Sequence, residues 1–580
     1  MNTVAKIDIS RRYQGVEITK YNGETYTPES LSTFVAQHIC NRFDFTHREK
    51  ISILDPSVGD GELSLALLRT IPRNYKGKIE LFAFDTNMMA LEQARKRIAN
   101  TFPNCTLHFE NRDFLQFAVE GDCEPDLLSL GEGTDKPSFD LIIANPPYVR
   151  TQIMGAYEAQ RLAAAFGLAG RVDLYQAFLL AMTKVLSPNG AAGFIVSNRF
   201  MTTKGGGTLR ALLHSTLTLR EVWDLGDTKL FSAAVLPAVI VANGLGHTKE
   251  DSVAFTSIYE TDGNAEIKVG DPIEALAHTG VIATADGRQF LVKTGVLNSS
   301  GDTDAVWRIA TVSGDAWMAT VQKNTWRTFG HLGKIRVGVK TCADKIFIRH
   351  DWEAATDGKL PELLRPLTTH HGAGRYHATV PKKVRHILYP HQVVDGKRSA
   401  IDVEKHENAK AYLEKHRGTL EGRTYVIESG RKWYELWVPQ DPSAWSAPKL
   451  VFRDISERPT FWLDLSGSIV NGDCYWLTTA KESETDLLWL AVAIANSTFI
   501  EVFYDHRFNN KLYAGRRRFI TQYVEQFPLP DPTTPLSLSI IERAKAIYHA
   551  NHSPSVESME QEVDALVWEA FGVSREKSSG

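Results

Sequence analysis

Short apolar runs alternate with helix-period stripes through the first half of the chain, and the polar residues that end the runs recur at a steady interval. Ile51-Ser52-Ile53-Leu54-Asp55, Ile79 to Phe84, Thr106 to Glu110 and Phe139 to Ala144 read as strands of a buried parallel sheet. Ahead of them, the stripe Leu31, Phe34, Val35, His38, Ile39 predicts a helix, with Thr27 or a residue near it as a cap and Pro28 in the first turn. Glu62 to Thr70 predicts a second helix. Asp55, Asp85, Asp113 and Asn145 end the four strands and lie 30, 28 and 32 positions apart, about the length of one βαβ unit. The pattern predicts a Rossmann-like, doubly wound α/β sheet in which these four residues line one crevice. For each aspartate taken singly, a helix N-cap is the competing reading.

Further along, Asp173 opens a helix with Leu174, Ala177, Phe178, Ala181, Met182 and Val185 on one face, stopped by Pro188-Asn189-Gly190. Ala192 to Val196 follows as another strand. Lys204-Gly205-Gly206-Gly207 reads either as a hinge or as a turn leading into a helix. Leu219 to Leu225 and Pro237 to Ala242 read as a terminal antiparallel pair, with a turn carrying Phe231 between them. Beyond Gly246 the long helical stripes stop. The expected organisation is a catalytic domain over 1–245, a connecting segment over 246–330, a mixed α+β domain over 331–530 and a helical segment over 531–580.

Composition narrows the class. A chain of 580 residues is too long for one core, and its charged fraction of 23% is that of an ordinary soluble protein. No apolar run approaches the ~20 residues of a membrane span, and the first residues lack a signal-peptide core, so a cytoplasmic location and no membrane partner are expected. The five cysteines are scattered with no Cys-x-x-Cys pair, which argues against a disulfide framework and a structural metal. The net charge of −4 conceals two basic stretches. One holds Arg365, Arg375, Lys382, Lys383 and Arg385 among five histidines; the other holds Arg507, Lys511, Arg516, Arg517 and Arg518 beside Phe508 and Tyr513. Both suit phosphates and base edges, with solvated loops as the competing reading.

The chemistry centres on Asn145-Pro146-Pro147-Tyr148, just past the carboxyl end of a buried strand. Two prolines stiffen the turn and leave carbonyls unengaged, so the Asn145 side-chain oxygen and the Pro146 carbonyl can converge on one NH2 group. Tyr148 offers a ring face for a planar group. A capping Asn in a Pro-rich turn is the plainer alternative. Pro56-Ser57-Val58-Gly59-Asp60-Gly61 reads as a turn that lets the backbone approach a ligand. Asp85 is placed for ribose hydroxyls and Asp113 for an adenine amino group, with Phe114 against the ring. No Gly-x-x-x-x-Gly-Lys phosphate cradle is present, so a sulfonium nucleoside such as S-adenosylmethionine suits this crevice better than a nucleotide.

Together these residues resemble the gamma-class adenine-N6 DNA methyltransferases of type II restriction–modification. Tyr26-Thr27-Pro28 resembles their N-terminal motif, and Asp55-Pro56-Ser57-Val58-Gly59-Asp60-Gly61 their glycine-rich motif. Asp85 and Asp113-Phe114 match the next two cofactor motifs, and Asn145 to Tyr148 the catalytic one. Phe231 falls where the family keeps an aromatic that holds a flipped base opposite the tyrosine. Trp433 to Leu436, Asn496-Ser497, Arg516 to Phe527 and Glu562 to Val567 also look like this family's second half. The resemblance implies an S-adenosylmethionine-dependent methyltransferase fold followed by a target-recognition domain, and methyl transfer to adenine N6 in double-stranded DNA. It also implies, as a partner, a separate restriction endonuclease or other defence proteins. Only Met1 to Asn22 precede the N-terminal motif's segment, so no nuclease domain is expected ahead of it, and the absence of a Pro-Cys pair removes the nucleophile of 5-methylcytosine enzymes. Cytosine-N4 methylation, methylation of RNA or of a protein glutamine, and an inert DNA-binding specificity component remain as alternatives.

Overall fold

The computed structural model describes residues 27–120, 138–148, 156–168, 173–231, 236–248, 252–298, 306–508, 516–550 and 553–575. It divides into two compact units, 1–311 with 511–515, and 312–510 with 516–580.

The first unit is built on one sheet. Its strands are β1 (Lys50–Asp55), β2 (Lys78–Phe84), β3 (Thr106–Glu110), β4 (Phe139–Ala144), β5 (Leu186–Ser197), β6 (Thr218–Asp224), β7 (Pro237–Asn243), β8 (Ala254–Glu260), β9 (Ile267–Val269), β10 (Gly280–Thr284), β11 (Gln289–Asn298) and β12 (Arg308–Ala310). They run in the order β3-β2-β1-β4-β5-β7-β6-β8-β11-β10-β9, with β12 beside β11. β3, β2, β1, β4 and β5 are parallel, and β7 alone reverses between β5 and β6. The carboxyl ends of β1, β2, β4, β5 and β6 therefore share one edge of the sheet.

Side chains alternate between two cores, as strands buried on both faces require. In β4, Phe139, Ile142 and Ala144 join the core formed with α4 (Phe114–Glu120), α5 (Ala156–Phe166), α6 (Leu174–Val185) and α7 (Gly207–Thr216). Leu141 and Ile143 join the opposite core with α1 (Glu29–Asn41) and α2 (Glu62–Thr70). α3 (Met88–Thr101) packs Ile98 on that second face.

Two expectations shift. Pro188-Asn189-Gly190 lies inside β5, which starts directly after α6; an irregular register between Phe139 and Leu141 of β4 accommodates the longer strand. The pair β6 and β7 is antiparallel but does not end the sheet, because β8 pairs in parallel with β6 from Glu221 to Asp224. The boundary expected near Gly246 thus falls within the first unit, and the segment beyond it contributes β8 to β12. Phe255, Leu297 and Trp307 bury into the same core as β4 and β5.

In the second unit, Arg336–Val337, Cys474–Leu477, Lys449–Arg453, Phe461–Asp464 and Tyr376–His377 form a five-stranded sheet, in that order. Four helices follow, α8 (Asp486–Ala495), α9 (Thr498–Phe508), α10 (Pro535–Ala550) and α11 (Val556–Ala570). The C-terminal helices share a core with that sheet: Ile540, Val563 and Val567 cluster with Leu450, Phe452 and Phe461. Asn496 holds both main-chain groups of Phe461, and Asp564 of α11 accepts from the Thr498 N–H and hydroxyl at the start of α9. No single helix among the described residues is long and apolar enough to cross a membrane. α8 and α9 are apolar because they form the centre of this core.

Candidate active site

The loop between β1 and α2 is set by backbone constraints. Gly61, at the start of α2, has a φ of +86°, and a Cβ there would come within 3.0 Å of the Ala94 Cβ on α3. Only glycine combines that conformation with that approach. The Gly59 N–H donates to Asp85 Oδ2 at 2.9 Å and the Asn87 N–H to Asp85 Oδ1 at 2.7 Å, so Asp85 joins the loop to the end of β2.

Asp55 has a different role from the one its strand-end position suggests. It is fully buried, accepting from Ser64 Oγ at 2.7 Å and from the Ser57 N–H at 3.3 Å. Burial pushes its carboxyl up to about 7, offset by those two bonds. It braces the turn from beneath. Asp113 Oδ1 accepts from the Leu115 N–H at 2.7 Å and so caps α4, and the Phe114 ring is packed among Phe84, Phe117 and Phe178 with 1% exposure. That ring is core, where the sequence expects it against a ligand; the large aromatic fills space beneath the sheet edge.

Asn145 lies at the centre of the edge. Its Nδ2 donates to Thr27 Oγ1 at 3.0 Å, and its carbonyl accepts from Ser57 Oγ at 3.2 Å, tying together the N-terminal, glycine-rich and Asn-Pro-Pro-Tyr segments. Thr27 therefore turns toward Asn145 instead of capping α1; Pro28 occupies the N-cap position, and its carbonyl accepts from the Ser32 N–H. Tyr26 lies outside the described residues. Among the described residues, Asn145 Oδ1 is buried with no hydrogen-bond partner, and so is the Tyr148 hydroxyl. A buried acceptor left unpaired costs about 1–3 kcal/mol, so this oxygen is ready for a donor. Burial raises the Tyr148 phenol above its ordinary range, keeping the ring neutral, and Tyr175 lies 6.4 Å from it, centroid to centroid. Pro146 is buried and Pro147 half-buried beside them. Pro56 is buried in the turn after β1. Phe231 is 7% exposed in the apolar cluster that includes Leu31 and Leu225, and no ring contact joins it to Tyr148 among the described residues.

The sequence reading misses a buried network on the same edge. Asp224, ending β6, accepts from Asn198 Nδ2 at 2.8 Å, from the Tyr259 hydroxyl at 2.6 Å and from the Gly226 N–H at 3.2 Å. Asp227 accepts from the Glu260 N–H at 2.7 Å. These bonds hold the start of the loop that carries Phe231. Asn198 is visible in the sequence as a polar residue ending a strand, whereas Tyr259 comes from β8. Burial pushes Asp224 up to about 6, restrained by its bonds from Tyr259 and Asn198 and raised further by Asp227. A raised carboxyl favours the folded state fully below its unfolded value and loses that contribution as pH rises through 6. Tyr259→Phe removes one donor to the charged form, so its loss of Tm is expected to be larger at pH 8 than at pH 5. Equal losses at both pH values, in melts followed by circular dichroism, would detach Tyr259 from Asp224 ionisation.

The basic candidates in the second unit separate into two sets. Arg517 is 9% exposed, with two 2.8 Å bonds to Asp505, a 3.5 Å contact to Glu501 and a bond to the Glu457 carbonyl. Arg518 forks onto Asp454 at 2.9 and 3.1 Å. Arg375 reaches Glu560 and the carbonyls of Pro459 and Asn496. These three hold the unit together. Arg507 bonds Gln526, and Arg516 is exposed with Glu457 at 3.6 Å. Arg365, Lys382 and Lys383 are exposed and Arg385 is half-buried. Lys511 lies outside the described residues.

A model of the Eco57I restriction-modification methylase family matches residues 57–231, and one of the TaqI-like C-terminal specificity domain matches residues 391–529. The chain is 38% identical to the type II methyltransferase M.BanIII of Aneurinibacillus aneurinilyticus over 573 residues, covering 96% of this chain and 98% of that one. It is 23% identical to the type II methyltransferase M.BstVI of Geobacillus stearothermophilus, over 83% and 86% of the two chains. The solved structure of MmeI, a type IIL restriction-modification enzyme in complex with DNA, matches with a TM-score of 0.57 at 16% identity, over 90% of this chain and 70% of that one. The fold is that of a restriction-modification methylase followed by a specificity domain. With a matching methylase domain, a matching specificity domain and a relative of 38% identity along nearly its whole length, the chain belongs to the type II restriction–modification DNA methyltransferases.

Proposed function

We propose that the protein transfers a methyl group from S-adenosylmethionine to the N6 amino group of adenine in a defined sequence of double-stranded DNA. It acts in the cytoplasm and protects sites that a separate restriction endonuclease cuts. The observation that carries this reading is Asn145: its Nδ2 is fixed on Thr27, and its buried Oδ1 has no partner. An acceptor held in this way suits an exocyclic amine. Asn145 Oδ1 takes one N–H of the amine and the Pro146 carbonyl the other, which draws the nitrogen lone pair out of conjugation with the ring. Catalysis is then positioning and electrostatics in a dry site, with no covalent intermediate on the protein. Tyr148, neutral and half-buried, stacks on the base once it leaves the duplex, with Phe231 on its other side.

The residues at the strand ends fit the cofactor. Asp85 is fixed at the end of β2 by loop N–H groups on both carboxylate oxygens, which sets it to accept from a ribose hydroxyl. Gly59 keeps the loop bare for close approach, Gly61 lets the loop turn against α3 beneath it, and Asp113 receives the adenine end. Thr27 and Pro28 close the crevice beside Asn145, with Pro56 and Ser57 in the turn below. Bound S-adenosylmethionine supplies an electrophilic methyl group on sulfur. Asp85→Ala is expected to raise its dissociation constant about 10- to 100-fold, as loss of hydrogen bonds to a charged acceptor predicts. A calorimetric constant equal to wild type would sink the nucleoside-crevice assignment.

The decisive experiment expresses the protein with plasmid DNA and maps modified bases by long-read sequencing. N6-methyladenine in one short sequence is the expected result. N4-methylcytosine would move the reading to the other exocyclic amine, and unmodified DNA would overturn it.

A further inference from the structure

The second unit contains an open groove of about 790 Å³ between the segment Val339–Ile346 and the turn Asn471 to Asp473, with Arg385 on its wall. The two segments are locked together through their backbones: the Val339 N–H donates to the Val470 carbonyl at 2.8 Å, and a Cβ on Gly338 would lie 2.0 Å from the Asn471 carbonyl. Lys340 is pinned from behind by reciprocal 2.9 Å main-chain bonds with Val438. The frame is rigid; on it the Thr341 hydroxyl donates to Asp344, while several other side chains are uncommitted. Lys340, Lys345 and Arg385 make no ion pair or side-chain hydrogen bond among the described residues, and neither does the Asn471 amide. Asp473 is held by His370 through Oδ2, while its Oδ1 is buried and unpaired; nearby, Arg453 Nε is buried and unpaired too. His370 chiefly, with burial, Arg385 and Arg453, holds the neighbouring His371 below the usual histidine range, against the opposing pull of Asp473.

We infer that this groove reads base edges in the major groove of the target duplex, with Arg385, Asn471 and Asp473 as specificity-determining residues. The inference rests on the DNA-methyltransferase reading above and names where sequence is recognised. A site for phosphate alone would present donors only, whereas this groove interleaves cations and an amide with a fixed carboxylate. That mixture matches base edges: arginine for the paired acceptors of guanine, asparagine for the donor and acceptor of adenine, a carboxylate for the amino group of cytosine. Lys340, Lys345 and Arg385 all lie before residue 391, where the matched specificity domain begins. The readout therefore extends upstream of that match.

The test uses full-length Arg385→Ala and Asn471→Ala proteins, each expressed with plasmid DNA, with modified positions mapped and Tm and cofactor affinity measured alongside. Each variant is expected to retain cofactor affinity and to accept additional bases at one position of the target, discrimination there falling about 10- to 100-fold. An unchanged target with unchanged discrimination would overturn the assignment while leaving the methyltransferase reading intact. Uniform weakening at every site, with a flatter dependence of affinity on salt, would make these residues phosphate contacts and equally overturn it. Should Arg385→Ala lower Tm, Arg385→Lys, which keeps the charge and loses the fork, must still relax the target for the inference to hold. A wild-type protein that modifies no DNA would overturn both readings together.

Discussion

Asn145→Ala is expected to lower the rate of methyl transfer about 100- to 1000-fold while leaving S-adenosylmethionine affinity within a few-fold of wild type. The scale is that of losing one fixed group that acts on charge developing in a transition state. The separation follows from geometry. Asn145 Oδ1 faces no donor among the described residues, so in the proposed mechanism its partner is the reacting amine, whereas the acceptors at Asp85 and Asp113 remain. Single-turnover methylation of a duplex, beside calorimetric cofactor binding, measures both quantities. A variant with near-normal turnover would remove Asn145 from the reacting centre. Loss of both properties together would instead mean that its bonds to Thr27 and Ser57 are what matter.

Arg517→Ala is expected to destabilise the second unit by about 3–5 kcal/mol, because it removes both 2.8 Å bonds to Asp505 and leaves Glu501 with the more distant Arg458, 3.9 Å away, in a mostly buried site. For a unit of this size that is a fall in Tm of roughly 10 °C. Lys382→Ala with Lys383→Ala should leave Tm in place and flatten the slope of log affinity against log salt, by up to about one for each phosphate that is no longer neutralised. The comparison separates a cation that holds the protein from one that holds DNA. If Arg517→Ala melted like wild type while the salt slope flattened, the two sets would have to be exchanged.

Both sets look alike in the sequence. A run of basic residues announces charge, but only the folded chain brings in its partners: Asp454 is 64 residues from Arg518, and Asp505, 12 residues before Arg517, is on α9. Arg375 likewise meets Glu560, 185 positions away. The strand ends are legible because they follow a local period. Asp85 and Asn145 sit on one edge of the sheet, as their spacing predicts, and β4 alternates between two cores as a doubly buried strand must. Thr27 is legible as a candidate but with a different partner, since a hydroxyl just before a helix reads as a cap until tertiary structure offers it an amide. β8 to β11 are hard to read because several of their positions stay half exposed, so their period is weak beside the polar turns that separate them.

The pairing of β8 with β6 also decides where the catalytic unit can be cut. A fragment ending at residue 245, after the antiparallel pair, would bare the main-chain donors and acceptors of β6 from Glu221 to Asp224. It would offer that row to any other chain, the usual route to edge-to-edge aggregation. The same cut would strip Tyr259 from Asp224 and Trp307 from the core around Phe200, so a carboxylate with one donor fewer would sit beside an opened cavity. A fragment that extends through β12 instead ends its sheet on β9, three residues long and carrying Lys268, an edge too short and too charged to recruit a neighbour.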